Sequence, residues 1–252
     1  MAELLAAIEK RQSTRLPYDP ARRISREHLK AILDAARWSP TAHNMQNFEI
    51  VVVQDRKLLE LIASIPGRVS EKFVRENYAQ LSFSEEELKR KKAGILGTMF
   101  PESWRRPGSP AGEPGGRATG GRPAGPTHPR EENRSQARLV EGSAALLVVL
   151  YDPARRAPAS AGDFLGIMSL GCVMQSMWLE ASSLGIGFQI LSGLSAPATA
   201  REVKRLLAVP KNLMIAFTAR LGYPRASAPY LRVRRDVEDF AFFDRYGGRD
   251  LT

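Results

Sequence analysis

Apolar positions along the chain alternate between a helical spacing and short continuous runs. Residues 2–11 carry Leu4, Leu5, Ala7 and Ile8 on one face of a short helix. Ser25 is placed to cap a second helix reaching Trp38, with Leu29, Ile32, Leu33 and Ala36 on one face and Pro40 just beyond its end. The stretch "SPTAHNMQNF" then leads into "EIVVV", Glu49–Val53, which reads as a strand buried on both faces. A helical pattern returns over 56–65 through Leu58, Leu59, Leu61 and Ile62, and "AALLVVLY", Ala144–Tyr151, gives a second strand.

Asp163 is positioned to cap a long helix reaching Ser183. It is apolar almost all round, which suits the middle of a molecule or a subunit interface. A glycine turn and short strand in "LGIGFQILSGL" (184–194), an amphipathic helix centred on Ala198–Leu207 and a last core strand over 213–221 complete the order. Helices and strands interleave in this way when a sheet is packed between helices, an α+β arrangement.

Two segments break the pattern. From about 67 to 105 the chain is polar, with aromatics at Phe73, Tyr78, Phe83, Phe100 and Trp104, and Ser84 with Glu87 forms a capping-box signature before "LKRKK". Residues 107–129 hold 13 Gly or Pro among 23, a composition that resists burial and regular structure. They read as a mobile loop inside an insertion spanning about 105–138, and from residue 224 a C-terminal arm alternates charge and aromatic rings.

The chain has 252 residues, 43% of them hydrophobic, enough for one domain with appendages, and no run of eighteen consecutive apolar residues, so no membrane span is expected. The N-terminus reads as an amphipathic helix rather than a signal peptide. A single cysteine, Cys172, permits no internal disulfide and fits a reducing cytoplasm. The three histidines, His28, His43 and His128, lie in no metal-ligand spacing. A net charge of +10 favours anionic partners, but part of it sits in the Gly/Pro-rich insertion and no recognition helix stands out, so nucleic acid is not the expected partner.

Known phosphate and hydrolase motifs are absent. Gly185 and Gly187 lack a third glycine and follow a helix, the wrong context for a dinucleotide fingerprint; there is no Gly-Lys-Ser/Thr and no Gly-x-Ser-x-Gly. What remains is a set of separated pieces: "RQSTR" at 11–15, "SPTAHNMQNF" at 39–48, "LGIGFQILSGL" at 184–194, Gly222-Tyr223-Pro224, and "RVRR" at 232–235 before a terminal "DRYG". In this order they resemble the flavin-dependent nitroreductase family, over roughly 3–65 and 140–247.

The resemblance implies a mixed central sheet flanked by helices, one domain per chain, and an intertwined homodimer with FMN in its interface. It implies NADH or NADPH as reductant and a nitroaromatic, quinone or related small acceptor, reduced in ping-pong order. Arg11, Ser13 and Arg234 or Arg235 would hold the phosphate and ribityl chain, since a dianion leaving water needs guanidinium or N–H partners. Gln12 would act through its backbone and Arg15 would sit by the pyrimidine edge. Pro40, Thr41, Ala42 and Asn44 would come from the other subunit, and Ile190, Leu191, Ser192 and Gly193 would pass along one ring face. No side chain is implied as acid or base, because the cofactor carries the redox chemistry. Gln46-Asn47-Phe48 departs from the family pattern, where an aromatic Trp often follows Gln-Pro. A same-fold reductive dehalogenase, a flavin-fragmenting enzyme and a flavin-binding sensor are the alternatives this leaves.

Overall fold

The structure is a computed structural model describing residues 2–66, 79–97, 138–226 and 231–248. It divides into two compact units, residues 1–68 with 132–228, and 69–131 with 229–252. Most of the expected insertion, with Tyr78 and Trp104, lies outside the described residues.

The first unit is built on the strand β4 (Ala145–Tyr151). Seven consecutive apolar residues leave neither face for solvent, and six of the seven are buried. Ala145, Leu147 and Val149 join one core; Leu146, Val148 and Leu150 join the other. The first core is closed by α2 (Arg26–Arg37) and α5 (Phe164–Ser183). The second is closed by α3 (Arg56–Ala63) and α6 (Pro197–Leu206). The short N-terminal α1 (Ala2–Lys10) packs on α5.

Strands β1 (Glu49–Val53), β5 (Gly187–Ile190) and β6 (Met214–Gly222) complete a sheet of order β1-β4-β6-β5. Every pairing in it is antiparallel, with Glu49 opposite Leu150, Ala145 opposite Leu221 and Gly187 opposite Gly222. The parallel component expected of a mixed sheet is confined, in this unit's described residues, to a single bridge from Ser13 to Phe188 alongside β5.

Local signals explain the element ends. The Ser25 hydroxyl accepts from the His28 N–H, and the Asp55 carboxylate accepts from Leu58. Two expectations need correction. The Glu49–Val53 run is not fully buried: β1 is an edge strand, so Glu49 is exposed, Ile50 and Val52 are half-buried against one core, Val51 is half-buried against the other, and only Val53 is fully buried. Asp163 precedes α5 but does not cap it; it adopts a left-handed backbone and its carboxylate accepts from the Ala157 N–H. The Ser160 hydroxyl instead accepts from Leu165.

By length and composition α5 could cross a membrane, its apolar window having a mean hydropathy of 1.3. In the fold it buries Leu170, Val173, Met177, Trp178 and Ala181 against the sheet and α2.

The second unit contains β2 (Ser82–Phe83), α4 (Glu85–Lys91) and β3 (Ile95–Leu96), with β2 and β3 parallel. The Ser84–Glu87 capping box forms in full. Gly94, at φ +106, lies so close under the Phe83 ring that a Cβ there would meet it at 2.4 Å. The tail 231–248 forms a short helical turn at Val237–Asp239.

Leu147 is fully buried on the α2/α5 face of β4. Leu147→Ala is expected to lower the unfolding free energy by about 2–5 kcal/mol, read as a shift in urea midpoint at unchanged slope.

Candidate functional site

The basic segment 11–15 is held against the outer edge of β5. The Thr14 N–H donates to the Phe188 carbonyl at 3.1 Å, and the Trp178 indole N–H donates to the Gln12 carbonyl at 3.2 Å. The Arg11 guanidinium lies 4.4 Å above the Trp178 ring, which stacks on Phe188 at 5.1 Å. Arg11, Gln12 and Ser13 are half-buried and Arg15 is exposed.

The segment is fixed from below by Arg220, which is 1% exposed in the middle of β6. One Nη of Arg220 donates to the carbonyls of Thr14 (3.2 Å) and Leu16 (2.9 Å), and its Nε donates to Gln189 Oε1 at 2.8 Å. Its guanidinium also stacks 4.0 Å from the Tyr18 ring. Tyr18 is buried because Gly187 and Gly222, paired across β5 and β6, leave room for it; a Cβ on Gly222 would meet the ring at 2.3 Å. Beyond it the Asp19 N–H donates to Tyr223, whose hydroxyl contacts His28 Nδ1 at 2.9 Å and whose ring lies under Arg22.

Ile190 to Gly193 continue directly from β5, so the structure brings 11–15 and 190–193 to one edge. Leu191 is locked by Thr218, each residue donating to the other's carbonyl, while Ser192 is exposed at the start of a helical turn. The first N–H groups of such a turn have no partner within it.

The 40–44 stretch sits elsewhere on the same chain. The Ala42 N–H donates to the Ser169 hydroxyl in the first half of α5, nine residues before Trp178, which is about 13 Å along the helix. His43, Asn44 and Gln46 all hold positive φ, and the Gln46 N–H donates to Thr41 Oγ1, which secures the turn. Asn47, the departure from the expected pattern, clamps the 152–155 loop: its amide donates to the Asp152 and Arg155 carbonyls and its Oδ1 accepts from the Asp152 N–H. A small, open recess lies between this turn and α5, lined by Thr41, Met45, Phe48 and Ser169 among others.

Arg234 and Arg235 belong to the second unit. There Arg234 donates to the Val233 carbonyl and Arg235 lies 5.3 Å from the Phe240 ring.

Arg220 is not among the residues the sequence analysis singled out, yet a lone arginine inside the apolar run "MIAFTARLG" is a recognisable signal, because an arginine in a core strand must find acceptors. Arg220→Met would strand the Thr14 and Leu16 carbonyls. It is expected to cost about 2–4 kcal/mol and to raise amide exchange over 12–18, and Arg220→Lys should recover little because an ammonium lacks the planar fork. The Asp152 carboxyl is held below its ordinary value of 3.8 by the Ala154 N–H and Asn212. Ionised Asp152 thus stabilises the fold above that value, and the contribution fades as pH falls through the lowered one; Asp152→Asn should flatten this part of an acid-unfolding profile.

Residues 8–223 match the family model described as Nitroreductase family. A candidate NADH dehydrogenase/NAD(P)H nitroreductase of Archaeoglobus fulgidus is 24% identical over 225 residues, covering 89% of this chain and 87% of its own. Among solved structures, an FMN-bound nitroreductase from Bacteroides fragilis superposes with a TM-score of 0.56 at 18% identity, covering 96% and 99% of the two chains. An iodotyrosine deiodinase bound to FMN and 3-iodo-L-tyrosine superposes with a TM-score of 0.58 at 21% identity, covering 95% and 100%.

Proposed function

The chain belongs to the nitroreductase family of oxidoreductases, and from that premise we propose that it is an FMN-dependent enzyme that takes electrons from NADH or NADPH and delivers them to a small organic acceptor such as a nitroaromatic or a quinone. The observation that carries this reading is the anchoring of Arg11–Arg15 on the β5 edge beside Ile190–Gly193.

The donor set fits a phosphate-bearing cofactor. Two arginines and a serine lie within five residues, without a carboxylate among them, on backbone fixed by Phe188, Trp178 and Arg220. In this reading Arg11 and Ser13 hold the phosphate, joined by Arg234 or Arg235, and Gln12 contributes its backbone. Arg15 places a positive charge near the pyrimidine end. Ile190, Leu191, Ser192 and Gly193 form a wall along the ring, with the half-buried Gly193 permitting close backbone approach. Bound there, FMN would supply two-electron exchange between nicotinamide and acceptor. The protein's part is orientation, positive charge and exclusion of water.

A homodimer completes the site in this reading, with Pro40, Thr41, Ala42 and Asn44 of the partner subunit. Two observations support it. Within one chain Ala42 and Gln12 are attached to turns of α5 about 13 Å apart. The packed helices α1 and α5 also leave Leu4, Leu5, Ile8, Phe164, Ile167 and Met168 exposed, an apolar face of the kind subunits cover.

The purified protein is expected to show flavin absorption and dimeric mass by light scattering, and to oxidise NADH or NADPH when a quinone or nitroaromatic is supplied. Arg11→Ala should weaken FMN binding about tenfold or more, the scale of one lost charge-assisted hydrogen bond, with the dimer intact. A colourless monomer that takes up no FMN would overturn the reading.

A further inference from the structure

In the second unit, Lys92 stands at the C-terminal end of α4 with a left-handed backbone, φ 53. Its ammonium pairs with Asp236 and lies 3.6 Å from Asp239. The two aspartates form a reciprocal capping box around the 237–239 turn, the Asp236 N–H donating to Asp239 Oδ2 at 3.0 Å. Two carboxylates held this close repel, and an ammonium between them offsets the repulsion. The Lys92 ammonium is correspondingly held above its ordinary pKa, first by its hydrogen bond to Asp236.

The sequence placement gives this pairing a consequence. Asp236 directly follows Arg234 and Arg235, and neither arginine makes an ion pair among the described residues. A carboxylate adjacent to a guanidinium competes with an anionic ligand for that guanidinium. We infer that Lys92 sequesters Asp236 and Asp239 and so keeps Arg234 and Arg235 available for the cofactor phosphate, making it a positioning residue that acts through them. This rests on the reading of the tail arginines as phosphate ligands.

Sequestration predicts signs that a simple tether does not. Lys92→Met leaves two uncompensated carboxylates beside the arginines, and FMN affinity should fall about three- to fivefold, the scale of an exposed charge pair. Lys92→Arg should bind like the parent. Asp236→Asn, which retains the capping oxygen, should bind FMN as well as the parent or better, and adding it to Lys92→Met should restore most of the loss. A tether predicts instead that Asp236→Asn weakens binding and that the double variant shows no recovery.

The test is titration of apo-protein by flavin fluorescence at low and high salt, with FMN and with riboflavin, which lacks the phosphate. The Lys92→Met defect should appear with FMN, shrink with salt and vanish with riboflavin. A double variant no better than Lys92→Met, or an equal defect with riboflavin, overturns the sequestration. Failure of the parent to bind FMN at all instead overturns the functional reading beneath it, and an Arg234→Ala/Arg235→Ala variant that binds like the parent removes the tail arginines from the phosphate site.

Discussion

A buried arginine organises one edge of this protein. Arg220 lies within an apolar strand and cannot reach bulk water, so its guanidinium must be met by acceptors inside the fold. It finds them in the carbonyls of Thr14 and Leu16 and in Gln189. A solvated basic run would otherwise be free to fray; here its backbone is committed to one path. Tyr18 closes the arrangement by filling the space that the Gly187–Gly222 pair leaves between β5 and β6. The strand and the basic segment are therefore positioned by the same few contacts, and the 192–193 turn beside them is held by the Leu191–Thr218 pair.

That edge is rigid because of what lies behind it. β4 divides its side chains between two cores, so helices on both faces press on a sheet whose central strands are inaccessible. Trp178 on α5 carries the packing outward: it stacks on Phe188, supports Arg11 and donates to Gln12. Helix packing, sheet register and the disposition of the cationic groups are linked through one indole. The same helix carries the strained 41–46 turn on an earlier part of its length, so within one chain the two motif regions are attached to different turns of α5.

Much of this was legible in the residues. Capping serines at 25 and 84, the apolar run 145–151 and the long, almost wholly apolar stretch 164–183 each have a local physical cause, and each element formed near its expected bounds. The errors were also physical. An apolar β-branched run reads alike whether it is central or at an edge, so β1 looked more buried than it is. An aspartate before a helix reads as a cap, but Asp163 was claimed by the Ala157 N–H instead.

By itself the sequence determined the order of elements, the family, and the residue types able to bind an anion, because periodicity, caps and motifs depend on neighbours along the chain. Only the tertiary structure decided which of those residues share an edge. It turned Arg220 and a cross-strand glycine pair into the anchor of the basic segment, and it gave Asn47, at the position where the family pattern often has proline, a clamping role. These assignments depend on strand register and on hydrogen bonds between residues up to two hundred positions apart, which no local pattern encodes.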